Sequence, residues 1–215
     1  MPNGWLSVRA ATVNRVAMQA IYADAHPESC LGIRKDLAAH LPSDARCVVD
    51  LGAGDGDGAS AAARLLPAAR VIAVEASPFM IVAGRAQNPD VANLEWRHAL
   101  AEATGLPDGV ADAVTICLVF HECTSEAQQA IALEALRLLR PGGTLVLTDT
   151  PVDDLHAYRG FYEPHKENWL QFDAPAFLAR AGFGDVEFLG EIRGDGSGTD
   201  NALWTYRCAK PGARL

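Results

Sequence analysis

A chain of 215 residues and 22.8 kDa is long enough for one well-buried domain and too short for two ordinary domains. Its residues are 49% hydrophobic and 21% charged, as in globular proteins, and no apolar run reaches the roughly 18 residues that span a bilayer. The net charge is -9 without any Lys/Arg cluster, which argues against nucleic acid as a partner. The composition therefore predicts a soluble protein with neither a membrane nor a nucleic-acid partner.

The N-terminal part of the chain is predicted to be helical. Residues 1–42 are interpreted as a helical extension or lid, and residues 43–215 as the main domain. Arg9, Asn14 and Arg15 interrupt the apolar run that a secretory signal needs, so we expect a cytoplasmic protein. The five cysteines are scattered without a Cys-x-x-Cys pair, and reduced core thiols explain them better than disulfides or zinc ligands.

Short runs rich in Val, Ile, Leu and Ala alternate with helix-length amphipathic stretches along the chain. This alternation is typical of a mostly parallel sheet that is covered on both faces. The predicted strands lie at 46–51, 70–75, 93–98, 111–120 and 143–149, and two more runs, "GDVEFLG" and "ALWTYRC", are predicted to be two final strands. The clearest helix, at 124–143, is expected to stop at Pro141-Gly142-Gly143.

The stretch "VVDLGAGDGDGA", residues 48–59, leads a strand into a glycine turn that opens a helix. Gly52, Gly54 and Gly56 would let backbone amides approach a ligand, because glycine accepts positive φ and has no side chain. Glu75 ends the next strand about 20 residues later, where a carboxylate can accept both hydroxyls of a ribose. The ligand is therefore predicted to contain an adenosine-like ribose, as both NAD and S-adenosylmethionine do.

Asp50 is the residue that separates these two cofactors. In dinucleotide enzymes a pyrophosphate lies over the turn, and a carboxylate two residues before the first glycine would repel it. S-adenosylmethionine carries an amino group and a positive sulfonium instead, so Asp50, with Asp55 and Asp57 in the turn, favours that cofactor. For Asp55 and Asp57 we favour another interpretation, in which at least one of them caps the helix that follows.

These residues resemble the first two motifs of the class I S-adenosylmethionine-dependent methyltransferases, which are an acid before x-Gly-x-Gly-x-Gly and an acidic strand end. The resemblance continues in "WRHALAEATGLPDGVADAVTICLVFHE" and in "EALRLLRPGGTLVLTD", and the latter is similar to the small-molecule (UbiE-like) branch. It covers residues 46–150 and implies a Rossmann-like three-layer α/β sandwich, with a mostly parallel seven-stranded sheet whose last strand is antiparallel. The implied activity is transfer of a methyl group from S-adenosylmethionine to a small organic acceptor.

The resemblance also implies which residues contact the cofactor. Glu75 would bind the ribose, Ala76 and Met80 would line the adenine pocket, and residues 101–103 would lie on the other side of the adenine. The full implied set is Asp50, Gly52, Ala53, Gly54, Glu75, Ala76, Met80, Ala101, Glu102, Ala103 and Leu118. Family members often carry an aspartate for the adenine amino group before the Leu-Pro pair, and Glu102 is the nearest acid here.

The candidate catalytic residues are histidines. His121, in "FHEC", follows the fourth strand at the carboxyl edge of the sheet, and it is predicted either to be a general base or to hold the loop. His156 and His165 are the next candidates, in a segment that would form an aromatic lid or pack on the sheet. A metal site is not predicted, because neighbouring residues such as His121, Glu122 and Cys123 point in different directions.

Two alternative functions remain open from the sequence. One is a nicotinamide-dependent oxidoreductase, against which Asp50 argues. The other is a methyltransferase-like fold that acts as a cyclase or binding module and keeps the cofactor as structure.

Overall fold

A computed structural model of the protein describes residues 6–21, 29–150, 165–192 and 203–212. The helices are α1 (Val8–Ile21), α2 (Ser29–Ala38), α3 (Asp57–Leu65), α4 (Pro78–Gln87), α5 (Ser125–Leu138), α6 (Lys166–Trp169) and α7 (Ala174–Ala181). The strands are β1 (Cys47–Leu51), β2 (Arg70–Glu75), β3 (Leu94–His98), β4 (Ala111–Cys117), β5 (Leu139–Asp149), β6 (Gly184–Ile192) and β7 (Leu203–Ala209). Among these helices, none is long and apolar enough to cross a membrane.

The strands form one sheet in the order β3-β2-β1-β4-β5-β7-β6. Strands β1 to β5 pair in parallel, whereas β7 runs antiparallel to both of its neighbours, β5 and β6. The predicted Rossmann-like α/β fold with an antiparallel last strand is confirmed. The strand order reverses between β1 and β4, and in open parallel sheets such a switch point opens a ligand cleft at the carboxyl ends of the strands.

Both faces of the sheet are buried, which explains the continuous apolar runs of its central strands. Along β1, Val49 and Leu51 contact the core that includes α5 and α7, while Val48 belongs to the core beneath α3. The side chain of Asp50 therefore shares the α3 face of the sheet with Val48, since alternate residues of a strand point the same way.

Two predicted boundaries are wrong. The strand predicted at 111–120 ends at Cys117, because Leu118 adopts a positive φ of 57° and a short 3-10 turn over Phe120–Glu122 follows. The helix predicted to stop at Pro141 ends at Leu138, and Pro141 lies inside β5. The β4–β5 register shifts opposite this segment, and such a bulge accommodates proline and glycine within a strand.

Gly84 of α4 permits a close approach between α4 and the indole of Trp96. A Cβ atom on Gly84 would lie 2.2 Å from Trp96 Cη2 and 2.6 Å from the carbonyl oxygen of Asp55. We expect Gly84→Ala to lower the unfolding free energy by about 1 to 3 kcal/mol, because overpacking displaces the indole or the backbone. Urea denaturation measures the change. At Gly212 a Cβ meets nothing within 4 Å, so Gly212→Ala is the control, and equal losses in both variants would contradict the packing.

Candidate functional site

The glycine turn after β1 contains one glycine that packs against a side chain and one that faces open space. Gly52 and Gly54 have φ values of 72° and 58°, in the left-handed region. A Cβ on Gly52 would lie 2.6 Å from Cγ2 of Val119, in the loop after β4, whereas a Cβ on Gly54 meets nothing within 4 Å. Gly52 is thus required for packing, and Gly54 leaves its backbone open to a ligand.

Glu75 joins the glycine turn to the start of α4. Its side chain is buried at 1% exposure, and its Oε2 and Oε1 accept hydrogen bonds from Gly54 N at 2.8 Å and Ser77 N at 2.7 Å. Burial raises the pKa of this carboxyl group, and the backbone N–H donors oppose that rise. Each carboxylate oxygen keeps a second lone pair, with which it can accept a hydroxyl of a ligand.

Asp50 lies beneath the turn, between the sheet and the helices α2 and α3. It is 4% exposed, and its Oδ1 accepts a hydrogen bond from Thr115 Oγ1 at 2.7 Å. Burial raises the pKa of Asp50, while Thr115 and the positive charge of Arg34 on α2 oppose the rise. A contact between Asp50 and a cofactor stays a prediction.

The two acids within the turn lie at the start of α3. Gly56 is the N-cap and makes no side-chain cap, but Asp57 lies in the first turn, and a backbone hydrogen bond from Asp57 opposes the raised pKa of Asp55. This agrees with the predicted pairing of at least one acid with a free amide at the helix start. Arg15 of α1 pairs with both acids as well, since its Nη1 lies 2.6 Å from Asp57 Oδ1 and 3.6 Å from Asp55 Oδ2. The N-terminal helix therefore binds directly to the glycine turn, through charges that the sequence placed 40 residues or more apart.

His121 is paired with a carboxylate that the sequence analysis missed. Its Nδ1 lies 2.6 Å from Oδ1 of Asp149, the last residue of β5, which is fully buried. Asp149 also accepts hydrogen bonds from Phe120 N at 2.9 Å and Thr150 N at 2.8 Å. The available signal was the acid that ends "LVLTD", since β5 and His121 end at the same edge of the sheet.

The predicted adenine-binding residues lie at the carboxyl edge next to β2 and β3. Ala76 is exposed and its carbonyl oxygen lies 2.9 Å from His98 Nε2. Met80 is 4% exposed and packs with Ala11 of α1 and with Ala83. The adenine contacts of Ala76 and Met80 stay predictions.

Residues 101–103 form a short turn closed by a bridge between Leu100 and Ala103. Ala101 is half-buried, whereas Glu102 and Ala103 are exposed. Their exposure leaves both side chains accessible to a ligand.

The remaining predicted residues lie in three different places. Leu118 is half-buried and donates its N–H to the carbonyl of Thr148 at 2.9 Å. His165 accepts a hydrogen bond at its carbonyl from Trp169 N, and His156 lies outside the described residues. Within the described part of the chain, no group of three or more His, Cys, Asp or Glu side chains is arranged to hold a metal ion.

Glu134 of α5 anchors the segment that follows the predicted adenine-binding residues. Its Oε1 accepts from Thr104 N at 2.9 Å and Thr104 Oγ1 at 2.6 Å, and Arg137 Nε lies 2.7 Å from its Oε2. The Arg137 guanidinium, with the hydrogen bonds from Thr104, lowers the pKa of Glu134 from 4.5 to about 2. Its stabilisation is therefore complete above pH 4.5 and lost as the pH falls through about 2.

We expect Glu134→Gln to lower the unfolding free energy by about 1 to 2 kcal/mol at pH 7, because the neutral amide loses the ion pair with Arg137. Arg137 is partly exposed, so solvent screens this ion pair and keeps the loss small. The deficit relative to the native chain shrinks as the pH falls below 4.5 toward 2. Urea denaturation at pH 7 and pH 3 measures both values. Asp44→Asn, at an exposed position before β1, is the control, and a deficit for Glu134→Gln that grows in acid would contradict the assignment.

Residues 49–147 match the methyltransferase domain family, and together with the sheet order they define a class I methyltransferase domain. This part of the chain belongs to that family, as its glycine turn and Glu75 predicted. A demethylmenaquinone methyltransferase of Thermus thermophilus is 32% identical over 146 residues, 67% of this chain and 64% of that protein. A trans-aconitate 2-methyltransferase of Azoarcus is 34% identical over 117 residues, 53% of this chain and 43% of that protein.

The chain thus spans less than two thirds of the length of these curated relatives. Among solved structures, human N-acetylserotonin methyltransferase in complex with S-adenosylmethionine has a TM-score of 0.67 at 19% sequence identity. That similarity covers 97% of this chain and 58% of the human chain, and it supports the fold.

Proposed function

We propose that the protein transfers the methyl group of S-adenosylmethionine to a small organic acceptor. The observation that carries the proposal is the hydrogen bond from Gly54 N to the buried carboxylate of Glu75, at a point where the backbone is open to a ligand. The family of residues 49–147 supports it independently. The named relatives, which methylate small molecules by their names, support an acceptor of that kind.

The residues of the cleft fit this cofactor. Glu75 would accept the ribose hydroxyls, and Gly52–Gly54 would pass beneath the methionine part without a side chain in the way. Glu102 would accept a hydrogen bond from the adenine amino group, in place of the aspartate of the family. Asp50 would add negative potential beneath the positively charged end of the cofactor.

The bound cofactor supplies a methyl group on a positively charged sulfur, which is already an activated leaving group. The protein must chiefly hold the acceptor in line behind that methyl carbon and exclude water. Such positioning can contribute roughly 7 to 11 kcal/mol to lowering the barrier. Of the candidate bases, His121 has the buried carboxylate of Asp149 beside its ring and is our choice ahead of His156 and His165.

Isothermal titration calorimetry with S-adenosylmethionine, S-adenosylhomocysteine and NADH tests the cofactor. We expect binding of the first two and none of NADH, and binding of NADH alone would overturn the proposal in favour of the oxidoreductase alternative. Methyl transfer is then followed with tritium-labelled cofactor and a panel of small phenols, acids and amines. Cofactor binding without any transfer would favour the cyclase or binding-module alternative.

Three expectations from the sequence accompany this proposal. We propose that residues 1–42 act as a lid on a main domain at 43–215, since Arg15 of α1 is bound to the glycine turn. We also propose a cytoplasmic location, and a protein whose partner is its small acceptor rather than nucleic acid or a membrane.

A further inference from the structure

We infer that His121 and Asp149 form a base that restricts the acceptor to compounds with a neutral phenol- or enol-type hydroxyl group. This inference rests on the proposed methyl transfer. It deepens that proposal by naming the chemical class of the acceptor and by assigning Asp149 as the positioning residue of the base.

Asp149 is held in one orientation by the backbone around it. Its Oδ2 accepts from Phe120 N at 2.9 Å and its Oδ1 from Thr150 N at 2.8 Å, with no exposed surface. These backbone hydrogen bonds hold the carboxylate in place without help from the His121 ring. Nδ1 of His121 lies 2.6 Å from Oδ1 of this carboxylate. A carboxylate at that distance selects the tautomer that donates from Nδ1, so Nε2 carries the lone pair that accepts a proton.

The loop that carries this histidine is packed on the glycine turn. Val119, two residues before His121, contacts Gly52 so closely that a Cβ there would come within 2.6 Å of its Cγ2. Leu118 has a positive φ of 57° and marks the bend at which β4 ends and this loop begins. A base on this loop therefore lies at the same edge of the sheet as the turn that would hold the cofactor.

Two carboxylates lie beside the imidazole of His121. Besides Asp149, Oε1 of Glu122 lies 3.8 Å from Nε2. Burial raises the pKa of the adjacent Cys123 thiol to about 12, which keeps that group neutral. From α6, the described ring that faces His121 is the uncharged indole of Trp169, at 6.2 Å between centroids. A proton taken by Nε2 is thus stabilised by two carboxylates in a mostly buried site.

This arrangement suits one class of acceptor. A carboxylic acid is already ionised at neutral pH, needs no base, and would be repelled by Asp149 and Glu122. A protonated amine would bring a second positive charge next to the sulfonium. An aliphatic hydroxyl is too weak an acid for an imidazole, whereas a phenol, with a pKa of about 10, is within reach of a base near neutrality.

The reaction balances with these groups alone. The hydroxyl proton moves to Nε2 of His121, and an electron pair of the oxygen, or of the conjugated carbon in an enol, forms the new bond to the methyl carbon. The methyl–sulfur bond breaks, and its electron pair stays on the sulfur, which becomes a neutral thioether. The imidazolium that remains is paired with Asp149 until it loses its proton to water.

The acceptor class is tested with three compounds that share a naphthalene scaffold: 1-naphthol, 1-naphthoic acid and 1-(aminomethyl)naphthalene. With tritium-labelled S-adenosylmethionine we expect transfer to 1-naphthol at least about 100-fold faster than to the other two, because the carboxylate is repelled by Asp149 and Glu122 and the ammonium by the sulfonium. Equal or faster transfer to the acid or the amine would overturn the inference and leave the proposed methyl transfer intact. Failure to bind the cofactor in calorimetry would instead overturn the proposed function.

The base role is tested by comparing 1-naphthol with 4-nitrophenol, a phenol that is largely ionised at pH 8. We expect His121→Ala and Asp149→Asn to slow turnover of 1-naphthol by about 100-fold or more and that of 4-nitrophenol far less, because an ionised acceptor needs no base. Cofactor affinity should stay within about twofold, as neither residue is assigned to the cofactor. His40→Ala, beyond the end of α2, is the matched control and should leave both rates unchanged.

Equal losses on both phenols would assign His121 a purely structural role and overturn the inference. The pH profile gives a second readout. For 1-naphthol, turnover should fall as the pH drops and the imidazole becomes protonated, and this acidic limb should disappear in His121→Ala. An acidic limb that persists unchanged in that variant would contradict the assignment.

Discussion

Replacement of Asp149 by alanine is expected to lower the unfolding free energy by about 3 to 5 kcal/mol, because its buried hydrogen-bond donors lose their acceptor. The carboxylate is fully buried and accepts from three backbone N–H groups, of Phe120, His121 and Thr150, and from the ring of His121. Stability in this part of the sheet therefore depends on the same group that orients the candidate base.

Chemical denaturation of the Asp149 variants measures this loss. Asp149→Asn keeps one oxygen acceptor in the same place, so we expect a smaller loss than with alanine. Asp173→Ala is a matched control on an exposed carboxylate that caps α7 through Ala176 N, and it should cost about 1 kcal/mol. A loss for Asp149→Ala no larger than that of the control would contradict the buried network.

Replacement of Glu75 by alanine is expected to weaken the binding of S-adenosylmethionine by about 1.5 to 3 kcal/mol, the worth of hydrogen bonds to a charged acceptor. The substitution also removes the acceptor of Gly54 N and Ser77 N, so the glycine turn loses its tie to α4. Part of the expected loss of affinity thus reflects a turn that is no longer preorganised.

Calorimetry on folded protein measures the effect of Glu75→Ala. Glu95→Ala is the matched control, because Glu95 lies on the neighbouring strand β3 and pairs with Arg70 at the exposed edge of the sheet. The affinity of the Glu95→Ala variant for S-adenosylmethionine should be unchanged. An unchanged affinity in a well-folded Glu75→Ala variant would remove Glu75 from the cofactor site.

The parts of the fold that follow from local sequence pattern were predictable. The glycine turn and Glu75 at the end of β2 each depend on a few adjacent residues, and each lies where the sequence places it. Glycine at a positive φ and an apolar run with an acid at its end are signals that tertiary contacts rarely override.

The parts that depend on distant residues were not predictable in the same way. Arg15 and Asp57 are separated by a helix and a strand, and nothing near Asp57 indicates that an arginine of α1 pairs with it. The pairing of His121 with Asp149 needs the register of β4 against β5. Pro141 predicted a helix stop but lies inside β5. The bulge that admits a proline into this strand depends on the neighbouring strand, so the local sequence does not reveal it.

The ion pairs between the N-terminal helices and the glycine turn bear on which part of the chain folds as a unit. Arg15 lies outside residues 49–147, and so does Arg34, whose positive charge opposes the raised pKa values of Asp50 and Asp55. The family segment therefore does not contain these positive charges beside Asp50 and the acids of its glycine turn. An excised core would carry those negative charges uncompensated, and high salt, which screens the partly exposed Arg15 pairs, would loosen the helices and the turn together.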